Sequence, residues 1–167
     1  QGGIAAVLDP ADCLDSHVAD TRAAGGQLCS SDIVSMVVRE APARINELIQ
    51  WGTQFDEESG VLSLGREGGH SHSRVAHALG DATGREIMRA VVERASHLRN
   101  VEIRDHTFTL DLLTQDGVCR GAVIADPHLG HALVWAKQTI LCTGGSGQVY
   151  RESTNPSVAT GDGHALA

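Results

Sequence analysis

Apolar residues in the first hundred positions recur three and four apart, and beyond them they alternate. That change of period divides the chain into a helical part and a strand part. After Asp15-Ser16-His17, the residues Val18, Thr21 and Ala24 fall on one side of a helix that Gly25-Gly26 ends. Ser30-Ser31-Asp32 is an N-cap cluster ahead of Ile33, Val34, Val37 and Val38, which are spaced for one helix face. Pro42 predicts an interruption at Ala41, because proline lacks the amide donor and crowds the preceding turn. A second helix is expected from there, carrying Ile45, Leu48, Ile49 and Trp51 and stopping at Gly52. Residues 55–64 are polar and rich in turn formers. Residues 83–98 give the clearest helix, with Ile87, Ala90, Val91 and Ala95 as its buried stripe. Thr83 is its expected N-cap, and Glu86 three residues on completes a capping box.

Period two begins at Val101. Residues 101–104, 107–113, 118–125 and 132–136 read as strands, with turns at Gln115-Asp116-Gly117 and Asp126-Pro127-His128. The middle of this set predicts an antiparallel meander. Thr139-Ile140-Leu141-Cys142 reads as a short buried strand running into Thr143-Gly144-Gly145-Ser146-Gly147. A further short apolar run, Ile4 to Leu8, follows Gly2-Gly3. A helix is expected to begin after Thr160-Gly161-Asp162-Gly163. The fold class these elements predict is α/β with an added antiparallel β-meander.

The chain has 167 residues, enough for one domain with a real core. Aromatic residues are only 3%, so that core is built from Ala, Val, Leu and Ile. A net charge of −8 argues against nucleic acid or an anionic membrane surface as partner. No apolar run approaches the roughly 20 residues that span a bilayer. Cys13, Cys29, Cys119 and Cys142 show no paired spacing and read as reduced thiols of a cytoplasmic protein. The chain opens at Gln1 without a methionine and closes in mid-helix, so a fragment of a longer protein is expected.

One stretch departs from ordinary globular sequence. Arg66-Glu67-Gly68-Gly69-His70-Ser71-His72-Ser73-Arg74 carries a carboxylate, two histidines and two arginines around a Gly-Gly pair. Adjacent glycines let backbone approach a ligand, and the flanking charges can orient an anionic or zwitterionic small molecule. Glu67 reads either as a solvated loop carboxylate or as a group that pairs with a substrate ammonium. The spacing of His70, His72 and His77 matches no standard zinc pattern. The Gly-rich turn after residue 142 is neither a P-loop nor a Gly-x-Gly-x-x-Gly fingerprint. It is a structural turn or a place where backbone meets a phosphate or an isoalloxazine ring. Asp162, between two glycines, is an N-cap or an acceptor for sugar or ribityl hydroxyls.

Together these blocks carry a family resemblance. Gln1-Gly2-Gly3-Ile4-Ala5-Ala6, Asp15-Ser16-His17-Val18-Ala19-Asp20-Thr21, the Arg66–Ser71 block and His77-Ala78 belong to it. So do Asp81-Ala82-Thr83-Gly84, Thr143-Gly144-Gly145, Thr154-Asn155-Pro156 and the Thr160–Gly163 block. In order and spacing they resemble the aspartate oxidases, within the flavoprotein family of succinate dehydrogenase and fumarate reductase. The Glu in the Arg66–Ser71 block is more specific to the aspartate oxidases; the dicarboxylate reductases lack it. Gly65 stands where relatives usually carry Thr, and Ser73 where a basic residue is common.

The resemblance implies part of a Rossmann-like FAD-binding domain, with residues 1–167 as its middle portion. The first βαβ unit with Gly-x-Gly-x-x-Gly and the capping domain are expected outside this chain. It implies FAD as cofactor, oxidation of L-aspartate to iminoaspartate, and oxygen or fumarate as electron acceptor. Quinolinate synthase is the implied consumer of the product, in NAD biosynthesis. Glu67 is the implied substrate-orienting residue. Gln1, Gly2, Gly3, Phe108, Thr109, Gly144, Gly145 and Asp162 are the implied cofactor contacts, and no metal is implied. The fragment alone is expected to be inactive and to bind FAD poorly. The rival readings are a fumarate reductase or succinate dehydrogenase flavoprotein subunit, and a non-catalytic remnant that only binds a partner.

Overall fold

The computed structural model describes residues 2–167, in two compact units that divide after Glu102. The first unit opens with strand β1 (Ile4–Ala5), helix α1 (Leu14–Gly25) and helix α2 (Ser31–Gln50). Short strands β2 (Glu57–Glu58), β3 (Val61–Leu62), β4 (Leu64–Gly65) and β5 (Val75–Ala76) follow, then helix α3 (Thr83–Ser96). Strands β1 and β4 flank β5 in an antiparallel sheet, with Ala76 opposite both Ile4 and Leu64. Ala6, Ile45, Phe55, Ala76 and Ala78 form the buried cluster, with Leu48 of α2 and Ile87 of α3 packed against it. The small residues Ala6, Ala76 and Ala78 let helix and sheet approach closely, as the scarcity of aromatics requires.

α1 ends where expected, with Gly26 at φ 56 and its amide bonded to the Arg22 carbonyl. The break expected at Pro42 does not occur: α2 is one 20-residue helix with Pro42 inside it. Pro42 removes one backbone bond and crowds one turn, at about 3 kcal/mol. Val38 and Ile45 are nearly fully buried on the same face, and each such side chain contributes about 1.5–3 kcal/mol. Their burial, with Ala41 and Leu48 beside them, outweighs the proline. Ser30 does sit at the N-cap, but its side chain makes no capping bond.

The capping box expected at α3 is also absent. Ala82 occupies the N-cap position. The Thr83 hydroxyl accepts the Ala78 amide at 3.0 Å, and the Glu86 carboxylate accepts the Gln54 amide at 2.9 Å. Both side chains satisfy backbone donors of neighbouring segments, and the Ala78 donor is buried, where an unpaired amide costs more than at a solvated helix end. The predicted stripe holds, with Ala90 buried and Ile87, Val91 and Ala95 half-buried. In the polar stretch after Phe55, Ser59 and Gly60 both take positive φ and close a β2–β3 hairpin.

The second unit is built on the predicted meander. Strands β6 (Phe108–Gln115), β7 (Val118–Asp126) and β8 (Gly130–Trp135) pair antiparallel in chain order. Asp116 and Gly117, at φ 52 and 75, make the first turn. The Asp126 carboxylate accepts the His128 and Leu129 amides to make the second. Gly121 sits at φ 144, where a Cβ would run into the Val134 carbonyl. Residues 101–104 and 139–142, expected as strands, take no strand conformation. A short strand persists only by pairing, and no described strand pairs with either segment; Ile140 is largely exposed. Helix α4 (Asp162–Leu166) follows the left-handed Gly161. All strand pairs among the described residues are antiparallel. Among the described residues no helix is long and apolar enough to cross a membrane.

Candidate functional site

The Arg66–Arg74 loop of the first unit is a fixed structure. The His70 amide closes a β-turn on the Glu67 carbonyl at 3.2 Å, and Gly69 takes φ 86 at the turn's third position, where positive φ is required. Arg66 Nε donates to the His70 carbonyl at 3.0 Å. The Ser71 amide and hydroxyl both donate to Asp20 Oδ2 at 2.7 Å.

Arg74, expected among the ligand-orienting charges, is instead buried and fully committed. Its guanidinium donates to Asp12 Oδ2 at 2.7 Å and Oδ1 at 2.8 Å, to Asp20 Oδ2 at 2.6 Å, and to Ser16 Oγ at 3.2 Å. The Arg74 hydrogen bonds hold the Asp12 carboxyl below its usual range, against the opposing effect of burial. Asp20 is held far below its usual range, first by the Ser71 amide and hydroxyl and then by Arg74. His17 packs at 5.9 Å from the His70 ring. Burial, and then the Arg74 charge, lowers its pKa. The two motifs read separately in the sequence, Asp15–Thr21 and Arg66–Ser71, are therefore two sides of one polar network.

Glu67 emerges from this framework half-exposed. Its Oε1 lies 2.9 Å from His77 Nε2. His77 follows β5, and its ring occupies a slot that exists because Gly3 and Gly65 lack side chains: a Cβ at Gly3 would lie 2.9 Å from Nε2, and one at Gly65 would lie 2.8 Å from Cε1. Gly3 is thus required by the sheet itself. Gly2, at φ 45, and Gly68 face open space. Gln1 lies outside the described residues.

In the second unit, Phe108 and Thr109 of β6 and Asp162 of α4 line one cleft of about 410 Å³, with Leu110, Asp111, Ala165 and Leu166. Thr160 Oγ1 donates to Asp162 Oδ2 at 2.6 Å, which fixes the carboxylate and leaves Oδ1 able to accept a hydroxyl. Gly163 packs directly on Thr143, and a Cβ at Gly161 would lie 2.9 Å from the Ser146 Cβ. The Gly144-Gly145 turn is in this way clasped to the start of α4. Gly144 takes φ 72, and both glycines have open space where a side chain would stand. Mixed apolar and polar walls and a fixed carboxylate acceptor suit a ligand that carries both a ring and hydroxyl groups.

Sequence reasoning missed Asp12 and the pairing of His77, and misassigned Arg74. A signal existed: Asp12, Ser16 and Asp20 stand four apart, a polar stripe aimed at one partner.

A profile described as FAD binding domain matches residues 1–167. The chloroplastic L-aspartate oxidase of Arabidopsis thaliana is 47% identical over 173 residues, covering 100% of this chain and 26% of that protein. The L-aspartate oxidase of Streptomyces coelicolor is 48% identical over 175 residues, covering 100% of this chain and 30% of that protein. The chain thus spans less than a third of the curated relatives it matches. Among solved structures, an E. coli quinol fumarate reductase matches with a TM-score of 0.94 at 32% identity, over 99% of this chain and 28% of that one. The fold therefore matches a region of the fumarate reductase flavoproteins.

Proposed function

The chain belongs to the FAD-binding domain family, and from that premise we propose that it is part of an L-aspartate oxidase converting L-aspartate to iminoaspartate. Bound FAD supplies the two-electron oxidant, and oxygen or fumarate takes the electrons on. The chain's own residues have two tasks. Gln1, Gly2, Gly3, Phe108, Thr109, Gly144, Gly145 and Asp162 would serve as cofactor contacts. Glu67 orients the substrate: its carboxylate accepts hydrogen bonds from the ammonium and is neither acid nor base in the reaction. Iminoaspartate then serves quinolinate synthase.

The observation that carries this reading is the half-exposed Glu67 carboxylate beside the open backbone of Gly68. Aspartate differs from succinate by one ammonium, so a carboxylate there favours aspartate over the dicarboxylates. A charge-assisted hydrogen bond contributes about 1.5–3 kcal/mol, roughly ten- to a hundredfold in affinity.

The test uses the full-length protein: its visible spectrum, and peroxide release with L-aspartate for wild type and Glu67→Gln. Flavin absorbance and aspartate-dependent peroxide are expected, with KM for aspartate raised about tenfold or more by the substitution. A yellow protein that reduces fumarate and ignores aspartate would assign it to the dicarboxylate enzymes. A folded, colourless protein would leave a binding module.

A further inference from the structure

We propose that His77 is a positioning residue for substrate selection: it holds one carboxylate oxygen of Glu67 so that the other is presented to an ammonium. This rests on the L-aspartate oxidase reading above. The Glu67 backbone is fixed by the turn, by Arg66 on the His70 carbonyl and by Ser71 on Asp20. Its side chain is not fixed by any of these. The 2.9 Å contact from Oε1 to His77 Nε2 is its sole hydrogen bond to the described residues, and with the proton on Nε2 the imidazole is the donor.

His77 can carry that role because it is itself immobile. It continues β5, its carbonyl accepts the Asp56 amide at 2.8 Å, and its ring is confined by Gly3 and Gly65. A glutamate on an exposed loop otherwise samples several rotamers, and freezing them on binding weakens affinity. With Oε1 tied, Oε2 keeps a lone pair and half the charge in one direction. The consequence is selective. A ligand with an ammonium gains from the ordered carboxylate, and a dicarboxylate without one gains nothing.

The test measures kcat and KM for L-aspartate in the full-length holoenzyme, and the Kd of succinate by perturbation of flavin absorbance. Variants are His77→Leu, His77→Gln, and His77→Leu combined with Glu67→Gln. His77→Leu is expected to raise KM for aspartate about tenfold, to lower kcat by less than about threefold, and to shift succinate Kd by less than about twofold. His77→Gln, whose amide can donate from nearly the same place, recovers most of the loss. In the Glu67→Gln background His77→Leu adds nothing further. Equal shifts for aspartate and succinate would mean a structural role and overturn the proposal. So would no shift in KM, or full additivity with Glu67→Gln. If His77→Leu loses its flavin, His77→Ala is measured in its place by the same criteria. A wild type that does not oxidise aspartate overturns the functional reading and this inference with it; an active wild type with a silent His77 overturns this inference alone.

Discussion

Replacing Arg74 by Met removes a cation from the interior while keeping most of its volume. The Arg74 side chain is 0% exposed and that of Asp12 is 1%, so the substitution leaves the Asp12 carboxylate buried without its two guanidinium bonds. Breaking a buried pair by removing one partner costs about 3–5 kcal/mol. Asp20, more exposed, keeps both bonds from Ser71 and adds little. Against a total stability of about 5–15 kcal/mol, this is a large share. The unfolded fraction should rise by roughly two to four powers of ten. The assay is urea unfolding near neutral pH, followed by far-ultraviolet circular dichroism, for Arg74→Met, Asp12→Asn and the double variant. The double variant should be less destabilised than the sum of the singles, with a coupling of at least about 2 kcal/mol, because it leaves no stranded charge. The reasoning is refuted if Arg74→Met lies within about 1 kcal/mol of wild type, or if the singles add to within about 0.5 kcal/mol.

Leu79 holds φ 54 while 56% exposed, a conformation unfavourable to a branched side chain that buries little there. Leu79→Asn should stabilise by about 0.5–1 kcal/mol, read as a raised melting temperature; a lowered one would show that Leu79 packing matters more than strain. Gly163→Ala places a methyl on Thr143, so it should loosen the α4 start and lower the flavin content of the full-length protein, with partial recovery on adding Thr143→Gly. Asp12, Asp20 and Glu86 all have depressed pKa values, Glu86 down to about 2 through Arg89 and the Gln54 amide. Their stabilisation is therefore complete above the ordinary carboxylate range near pH 4 and fades as pH falls through the folded values; a melting temperature that stays flat from about pH 4 to 2 would refute this. His17, buried and favouring its neutral form, begins to destabilise the fold as pH drops below its ordinary 6.5, and His17→Asn should flatten that part of the profile.

The elements that were legible in sequence are those whose local pattern and tertiary demand agree. The period-two run from Thr107 to Ala136 carries its own turns and needs no distant partner, so the meander could be read directly. α1 and the apolar stripe of α3 were legible for the same reason. Pro42 misled because its local cost is real, yet Val38 and Ile45 are buried against residues the local window does not contain. Thr83 and Glu86 misled because a capping box and a tertiary tie use the same side chains, and only the positions of Ala78 and Gln54 decide between them. Glu67 stood out by composition alone. Arg74 stood out for the same reason but is buried and paired with Asp12 and Asp20. Nothing local distinguishes an arginine facing a ligand from one neutralised by Asp12 and Asp20. The meeting of Phe108 and Thr109 with Asp162 belongs to the fold and could not be read from spacing.

The glycines sharpen the division between scaffold and site. Gly69 is required by the turn it closes, and Gly3 and Gly163 are required by what they touch. These positions are explained by the chain itself, without any ligand. Gly68 and Gly145 are not: neither takes positive φ, and a side chain at either would meet nothing within 4 Å. Glycine costs conformational entropy in the folded state, and at these two positions no feature of the described fold offsets that cost. Gly68 adjoins Glu67, whose carboxylate contacts His77, and Gly145 belongs to the turn packed on the start of α4. A flat ring or a small substrate lying on bare backbone would supply the missing reason at both. The proposed function therefore accounts for Gly68 and Gly145, one in each unit, where folding alone does not.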